Sequence, residues 1–310
     1  MLAPLLPVRM LDGGRGLKRS MMVTHTGQAH FRNIRTAAFA LAMAATPGLP
    51  SAAALSEAPS VSRAELVSGT KSVRAGEPFW VAIHVQLDDG WHTYWRNPGD
   101  GGARPLINWR LPFGIEAEPV VWPYPSVYRE GSLVTYGYSG SAWLFTRMTF
   151  PVDADSGTAV AIGADVEWLV CRDICIPQYA ELMLSVPIAR DDENGSLATD
   201  FAAALAKVPQ KSPWPAFYTE DSEHFVLTVG MPAIDAADVR FFPYEYGIIE
   251  HAADQQVSGD DRGLLVRTRR DANGEDLSES IAGVLVVRGK AHHDAYEIIA
   301  VPASTEDTSH

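Results

Sequence analysis

The sequence predicts an all-β protein, a β-sandwich followed by a second, smaller β-sandwich-like domain. Three observations predict it. Apolar and polar residues alternate with period 2 in short runs, Gly and Pro turn signals separate those runs, and only one short stretch carries a helical pattern. With 310 residues, 46% of them hydrophobic and 20% charged, the chain can fill two domain cores and is not a disordered sequence.

The first 54 residues stand apart. Phe31-Arg32-Asn33-Ile34-Arg35 is a short basic region, residues 36–43 form an apolar stretch, and Pro47, Gly48 and Pro50 end it. Ala52-Ala53-Ala54 supplies the small residues that a signal peptidase accepts. Residues 1–54 are therefore expected to be a leader with a cleavable signal peptide that ends near Ala54. A start at Met21 or Met22 would give a leader of more ordinary length. No later apolar run approaches the ~18–20 residues of a membrane span, and residues 281–287 are only strand-sized. The mature chain is expected to be exported, without a membrane span, into a compartment where disulfides persist.

Residues 55–190 are the predicted first domain. Phe79, Val81, Ile83, Val85 and Leu87 alternate with Trp80, Ala82, His84 and Gln86, the pattern of a half-buried strand. Further strands are expected at 107–111, 144–152, 159–170 and 180–188, with turns at Asp89-Gly90, at residues 98–102 and at Pro123-Tyr124-Pro125. Residues 191–215 read as a linker. Asp191-Asp192-Glu193-Asn194-Gly195 is a polar break. Phe201, Leu205 and Val208 then share one face of a short helix over 199–208, which Pro209, Pro213 and Pro215 terminate. Residues 216–303 are the predicted second β domain, with strands at 225–229, 239–242, 264–268, 284–288 and 298–301. It has no cysteine and no reactive cluster, so a structural or partner-facing role is expected. Residues 304–310 are a polar tail.

The net charge is −13, and the leader, with six basic residues and one acid, leaves the rest of the chain at about −18. Nucleic-acid binding needs clustered Lys and Arg, and no basic run follows residue 55, so that class is excluded.

The chemistry is expected at the two cysteines, Cys171 and Cys175. They are too close in sequence to staple distant segments, because closing so small a loop removes little chain entropy. Before them, Val160, Ile162, Ala164, Val166, Trp168 and Val170 are apolar at even positions. After them, Ile176, Ala180, Leu182, Leu184, Val186 and Ile188 continue the even set. That continuity predicts a hairpin with Arg172-Asp173-Ile174 as its loop. The cysteines then oppose each other on the face away from the core, within disulfide reach and near the surface. Nearby charges are mixed: Arg172 favours a thiolate, while Asp173, Glu167 and Glu181 oppose it.

Three readings of the pair stay open: a cycling dithiol/disulfide, a Cu(I) site on the same two sulfurs, and an inert structural disulfide. A thioredoxin-like site is disfavoured, since it uses Cys-x-x-Cys in a βαβ context. A dinuclear copper site of the cytochrome oxidase type needs a His and a Met where this chain has Tyr179 and Leu182. Zinc would need distant donors, of which His292-His293 is the obvious pair.

Two stretches resemble a known family. They are Gly90-Trp91-His92-Thr93-Tyr94-Trp95-Arg96-Asn97-Pro98-Gly99-Asp100-Gly101-Gly102 and Trp168-Leu169-Val170-Cys171-Arg172-Asp173-Ile174-Cys175-Ile176-Pro177. Asn108-Trp109-Arg110-Leu111-Pro112 and Trp122-Pro123-Tyr124-Pro125 lie between them. This pattern resembles the amino-terminal periplasmic domain of the thiol:disulfide interchange protein DsbD, in the variant found in ScsB, a copper-tolerance relative. The resemblance covers about residues 61–190.

The resemblance implies an immunoglobulin-like sandwich in the periplasm and a thiol–disulfide oxidoreductase that needs no cofactor. It implies electron relay between a membrane-embedded thiol reductase and periplasmic thioredoxin-like proteins. It also implies that Cys175 forms the mixed disulfide and Cys171 resolves it. The membrane and thioredoxin-like domains of full-length family members are not in this sequence, so they are expected on separate partners of a monomeric chain. Trp91, Tyr94 and Trp95 are expected to pack rather than react, His92 to be structural, and Tyr136-Gly137-Tyr138 to cap the cysteines.

Overall fold

The structure is a computed structural model. It describes residues 60–189, 198–232, 236–260, 263–274, 277, 279–289 and 293–303. The expected leader, the polar break at 191–195, His292 and the 304–310 tail lie outside the described residues.

Ten strands build the first body: β1 (Ser62–Ser68), β2 (Pro78–Leu87), β3 (His92–Gly99), β4 (Leu106–Arg110), β5 (Glu116–Ala117), β6 (Ser126–Glu130), β7 (Leu133–Ser139), β8 (Ser141–Thr149), β9 (Ala159–Cys171) and β10 (Cys175–Pro187). They form two sheets, one ordered β1-β2-β8-β5 and one ordered β10-β9-β3-β7-β6, with β4 also paired to β9. The inner faces meet in one core of alternating residues, including Val81, Ile83 and Val85 from β2 and Ile162, Val166 and Val170 from β9. Trp168 closes one end of this core and donates its indole N–H to Ser62 Oγ at 3.0 Å, which ties the hairpin sheet to β1. This is the β-sandwich that the sequence pattern predicts, in the immunoglobulin-like form that the resemblance implies.

Helix α1 (Thr199–Leu205) follows, shorter than the expected 199–208. It lays Phe201 against Phe145 and Trp143 on the outer face of the first sheet, at ring distances of 5.2 and 5.8 Å.

The second body contains β11 (Gln210–Lys211), β12 (Ala216–Glu220), β13 (His224–Val229), β14 (Ala236–Pro243), β15 (Gln256–Asp260), β16 (Gly263–Arg269), β17 (Ile281–Gly289) and β18 (His293–Pro302). They share one sheet ordered β14-β17-β18-β12-β13-β16-β15, with β11 beside β18. In a flat sheet β13 and β14 would stand about 19 Å apart, four strand spacings of ~4.8 Å. Yet Phe225 of β13 and Phe241 of β14 stack at 6.1 Å. The sheet therefore curls until its two ends share a core, and it works as a sandwich made from a single sheet. Gln255, just before β15, seals the closure by bonding both the N–H and the carbonyl of Phe241, at 2.7 and 2.8 Å.

The described residues belong to one compact unit. The junction between the bodies is built by Trp95-Arg96-Asn97-Pro98-Gly99-Asp100. Trp95 is fully buried against Phe242 and Tyr244, at ring distances of 6.1 and 5.7 Å. The Arg96 guanidinium lies 3.8 Å from the centre of the Tyr244 ring. Asn97 Nδ2 donates to the carbonyls of Pro243 and Glu245, at 2.9 and 3.1 Å. Asp100 accepts from the Val134 N–H at 2.7 Å and pairs at 3.0 Å with Nδ1 of buried His251.

Candidate functional site

β9 and β10 are antiparallel partners over their whole length, and Cys175 faces Cys171 in that register. The expected loop Arg172-Asp173-Ile174 closes the hairpin through a hydrogen bond from the Arg172 N–H to the Ile174 carbonyl, at 3.1 Å. The two sulfurs are joined in a disulfide, with the Cα atoms 4.1 Å apart. The cysteines stand on the face away from the core, as the parity predicts.

The pair is not uniformly near the surface, which corrects the sequence expectation. Cys171 is 2% exposed, whereas Cys175 is open to solvent. Topology supplies the reason. β10 is the edge strand of its sheet, while β9 lies between β10 and β3. His92 of β3 sits directly opposite Cys171, so Cys171 has a neighbour on both flanks and Cys175 has one on a single side.

β3 brings two further side chains to the sulfurs. His92 stacks on Tyr128 at 4.8 Å, and burial lowers its pKa against a smaller opposing pull from Glu130, so it is neutral at neutral pH. Its Nε2 is buried with no hydrogen-bond partner among the described residues. Tyr94 lies two residues further along the same face and places its hydroxyl 3.8 Å from Cys175 Sγ. Burial, helped by Glu130, raises the Tyr94 pKa, so the phenol keeps its proton and can donate it to a sulfur anion. Gly102, with φ +94°, lies against this ring: a Cβ there would come within 2.2 Å of it. Only glycine leaves the tyrosine its place.

The expected cap is absent at Tyr136-Gly137-Tyr138. Tyr136 is fully buried against Phe242 and His251 at the junction, and Tyr138 donates its hydroxyl to the Pro123 carbonyl at 2.7 Å. Gly137 instead allows β7 to approach β3, since a Cβ would lie 1.9 Å from the Thr93 carbonyl oxygen. Tyr94, expected only to pack, is the aromatic residue that reaches the sulfur. Only the pairing of β3 with β9 brings the face shared by His92 and Tyr94 to the hairpin, and no local pattern in the sequence carries that pairing. Trp91 and Trp95 are core residues, as expected.

The charges near the pair are already engaged. Arg172 pairs with Asp173 at 3.0 Å and lies 5.0 Å from the centre of the Trp91 ring. Glu167 and Glu181 lie further down the hairpin, four or more residues from the cysteines, beyond about 13 Å at strand spacing. The polar side chain in contact with the exposed sulfur is the neutral Tyr94 phenol. A cleft of about 530 Å³ opens beside His92, lined also by Tyr128, Glu130 and Arg172. Among the described residues no group of three or more His, Cys, Asp or Glu is placed to hold a metal, so the Cu(I) alternative rests on two sulfurs alone. No described helix is long and apolar enough to cross a membrane.

Residues 63–187 match the family model for the thiol:disulfide interchange protein DsbD, N-terminal. The N-terminal periplasmic domain of ScsB from Proteus mirabilis superposes with a TM-score of 0.56 at 20% identity. That match covers 79% of this chain and 95% of the other. Its span is about twice that of the family match, so the shared fold includes the second body. The major pilin subunit BcpA of Bacillus cereus aligns with a TM-score of only 0.25, at 6% identity over 79% of this chain and 67% of its own. No curated protein sequence matches.

Proposed function

We propose that this chain, which carries a DsbD-type amino-terminal domain over residues 63–187, is a thiol–disulfide exchange module working in the periplasm through Cys171 and Cys175. The observation that carries the reading is the asymmetry of the disulfide: one sulfur buried beside His92, the other exposed under the Tyr94 hydroxyl.

A partner thiolate attacks Cys175 Sγ, because that sulfur is the accessible one. The Cys171–Cys175 bond breaks, Cys171 leaves with the electron pair and takes up a proton, and the partner is held on Cys175 as a mixed disulfide. A second thiol on the partner attacks its own bonded sulfur and releases Cys175 as a thiolate. Two electrons have then passed to the module, and the partner departs as a disulfide. The reverse sequence hands the electrons on. A membrane-embedded thiol reductase and periplasmic thioredoxin-like proteins fit the two ends of this relay. The Tyr94 hydroxyl stabilises the Cys175 thiolate in both directions by donating a hydrogen bond.

Equilibration with glutathione buffers tests the reading. An exchanging pair titrates above about −300 mV, whereas a pair that stays oxidised below that value is structural and overturns it. Tyr94→Phe is expected to raise the Cys175 thiol pKa and slow its alkylation near neutral pH about fivefold, the value of one hydrogen bond of about 1 kcal/mol. The pH profile of iodoacetamide labelling on the reduced protein reads this directly. An unchanged profile would show that the phenol only packs.

A further inference from the structure

Alternating strands of a sandwich turn polar side chains to solvent. The outer face of β4, β9 and β10 breaks that rule in a line leading away from Cys175. Register places Leu106, Glu167 and Tyr179 side by side in one row, then Asn108, Asp165 and Glu181, then Arg110, Gly163 and Met183. Leu106 is 50% exposed, Tyr179 56%, Met183 63%, and Ile174 at the hairpin tip 65%. These residues stay open with the second body in place. Cys175 and Met183 are eight residues apart on β10, about 26 Å at ~3.3 Å per residue.

The face is also acidic. Asp165, Glu167 and Glu181 stand against one cation, Arg110, which is already paired with Asp165 and lies 3.8 Å from Glu181. Gly163 leaves room for Arg110 and Met183 to meet above it, at 3.9 Å between Nη2 and Sδ. At the tip, Arg172 is paired with Asp173. The pattern is therefore apolar contacts set in a net negative field, continuous with the one sulfur open to attack.

We propose that this face is the docking surface for a thiol protein whose surface beside its reactive cysteine is apolar and basic. The proposal rests on the exchange reading and adds how the partner is recognised. The partner lies along β10 with its cysteine at Cys175. Its lysines and arginines meet Asp165, Glu167 and Glu181, and its apolar rim covers Leu106, Tyr179 and Met183. A face this narrow suits the small, transient interfaces of redox encounters, below about 1,200 Å² in total. Complementary charge acts mainly on the association rate and leaves the sulfur chemistry alone.

The test is the rate at which the oxidised full chain is reduced, followed by stopped flow. Three reductants are compared: dithiothreitol, a reduced thioredoxin with lysines engineered around its active-site rim, and the same thioredoxin with glutamates there. The lysine version is expected to react at least about tenfold faster than the glutamate version at low ionic strength, and the gap should close near ~0.5 M salt. Tyr179→Lys and, separately, Glu167→Lys should each slow the lysine version about fivefold or more and leave dithiothreitol unchanged. Equal rates for the two rims, or losses of the same size with dithiothreitol, overturn the docking surface. A dimer that sedimentation shows to be lost in Tyr179→Lys assigns the face to a second copy and also overturns it. Failure of all three reductants overturns the exchange reading itself, a result distinct from failure of the rim comparison alone.

Discussion

Cys171→Ser is expected to trap an oxidised partner: the Cys175 thiolate attacks the partner's disulfide, one partner thiol leaves, and the mixed disulfide persists on a non-reducing gel because Cys171 is no longer there to resolve it. Cys175→Ser is expected to trap nothing. Its remaining thiol belongs to Cys171, a residue only 2% exposed, between β10 and β3. A bulky maleimide reaches such a group only through local opening. An opening free energy of about 2.7 kcal/mol slows labelling about a hundredfold relative to Cys175 in Cys171→Ser. Both variants should stay folded, since closing a loop this short contributes about 2 kcal/mol by the chain-entropy estimate. Equal labelling of the two single-cysteine variants would remove the asymmetry from which the mechanism is built.

Trp95→Ala is expected to cost about 3–5 kcal/mol, the usual loss for a large buried aromatic residue. The reason lies at the junction. Trp95 is fully buried and packs on Phe242 and Tyr244 of the second body, so truncation opens a cavity between the two bodies. Denaturant unfolding should show a lower midpoint and lose the coincidence of probes from the two bodies. Proteolysis within 190–215 should accelerate. Asn97→Ala provides a second variant without a large cavity. It leaves the Pro243 and Glu245 carbonyls without their donor, at about 1–3 kcal/mol for each group that stays buried. If both variants unfold with the wild-type midpoint, the junction contributes nothing to stability.

The disulfide and the junction both draw on β3, through neighbouring stretches of that one strand. Tyr94 reaches Cys175 Sγ, and Trp95 and Asn97 hold the second body. The aromatic motif that carries the family resemblance therefore has two jobs. Its first half frames the disulfide, and its second half forms the joint between the bodies.

Strands with one dry face and one wet face were legible. β2, β9 and β10 alternate cleanly, and their extents match the expected ranges to within a few residues. The hairpin register followed from the same parity carried through the loop. β3 and β7 were not read as strands, and the reason is visible in their burial. Seven of the eight residues of β3 are buried, as are the five central residues of β7. Part of their outer face lies under the second body, where Tyr136 meets Phe242, and part lies at the disulfide, where His92 meets Cys171. A strand covered on both faces loses its period-2 signal, so aromatic residues on it look like a motif or a cap.

The sequence by itself determined the all-β class, the sandwich, the opposed cysteines and their place outside the core, because each depends on local alternation and on a count of loop residues. Only the tertiary structure decided which cysteine is open. That difference comes from sheet order: an edge strand has one neighbour and an inner strand has two, and strand order is not written in the period of any single strand. The disulfide that the sequence presents as a symmetric surface pair is, in the folded protein, a buried sulfur joined to an accessible one.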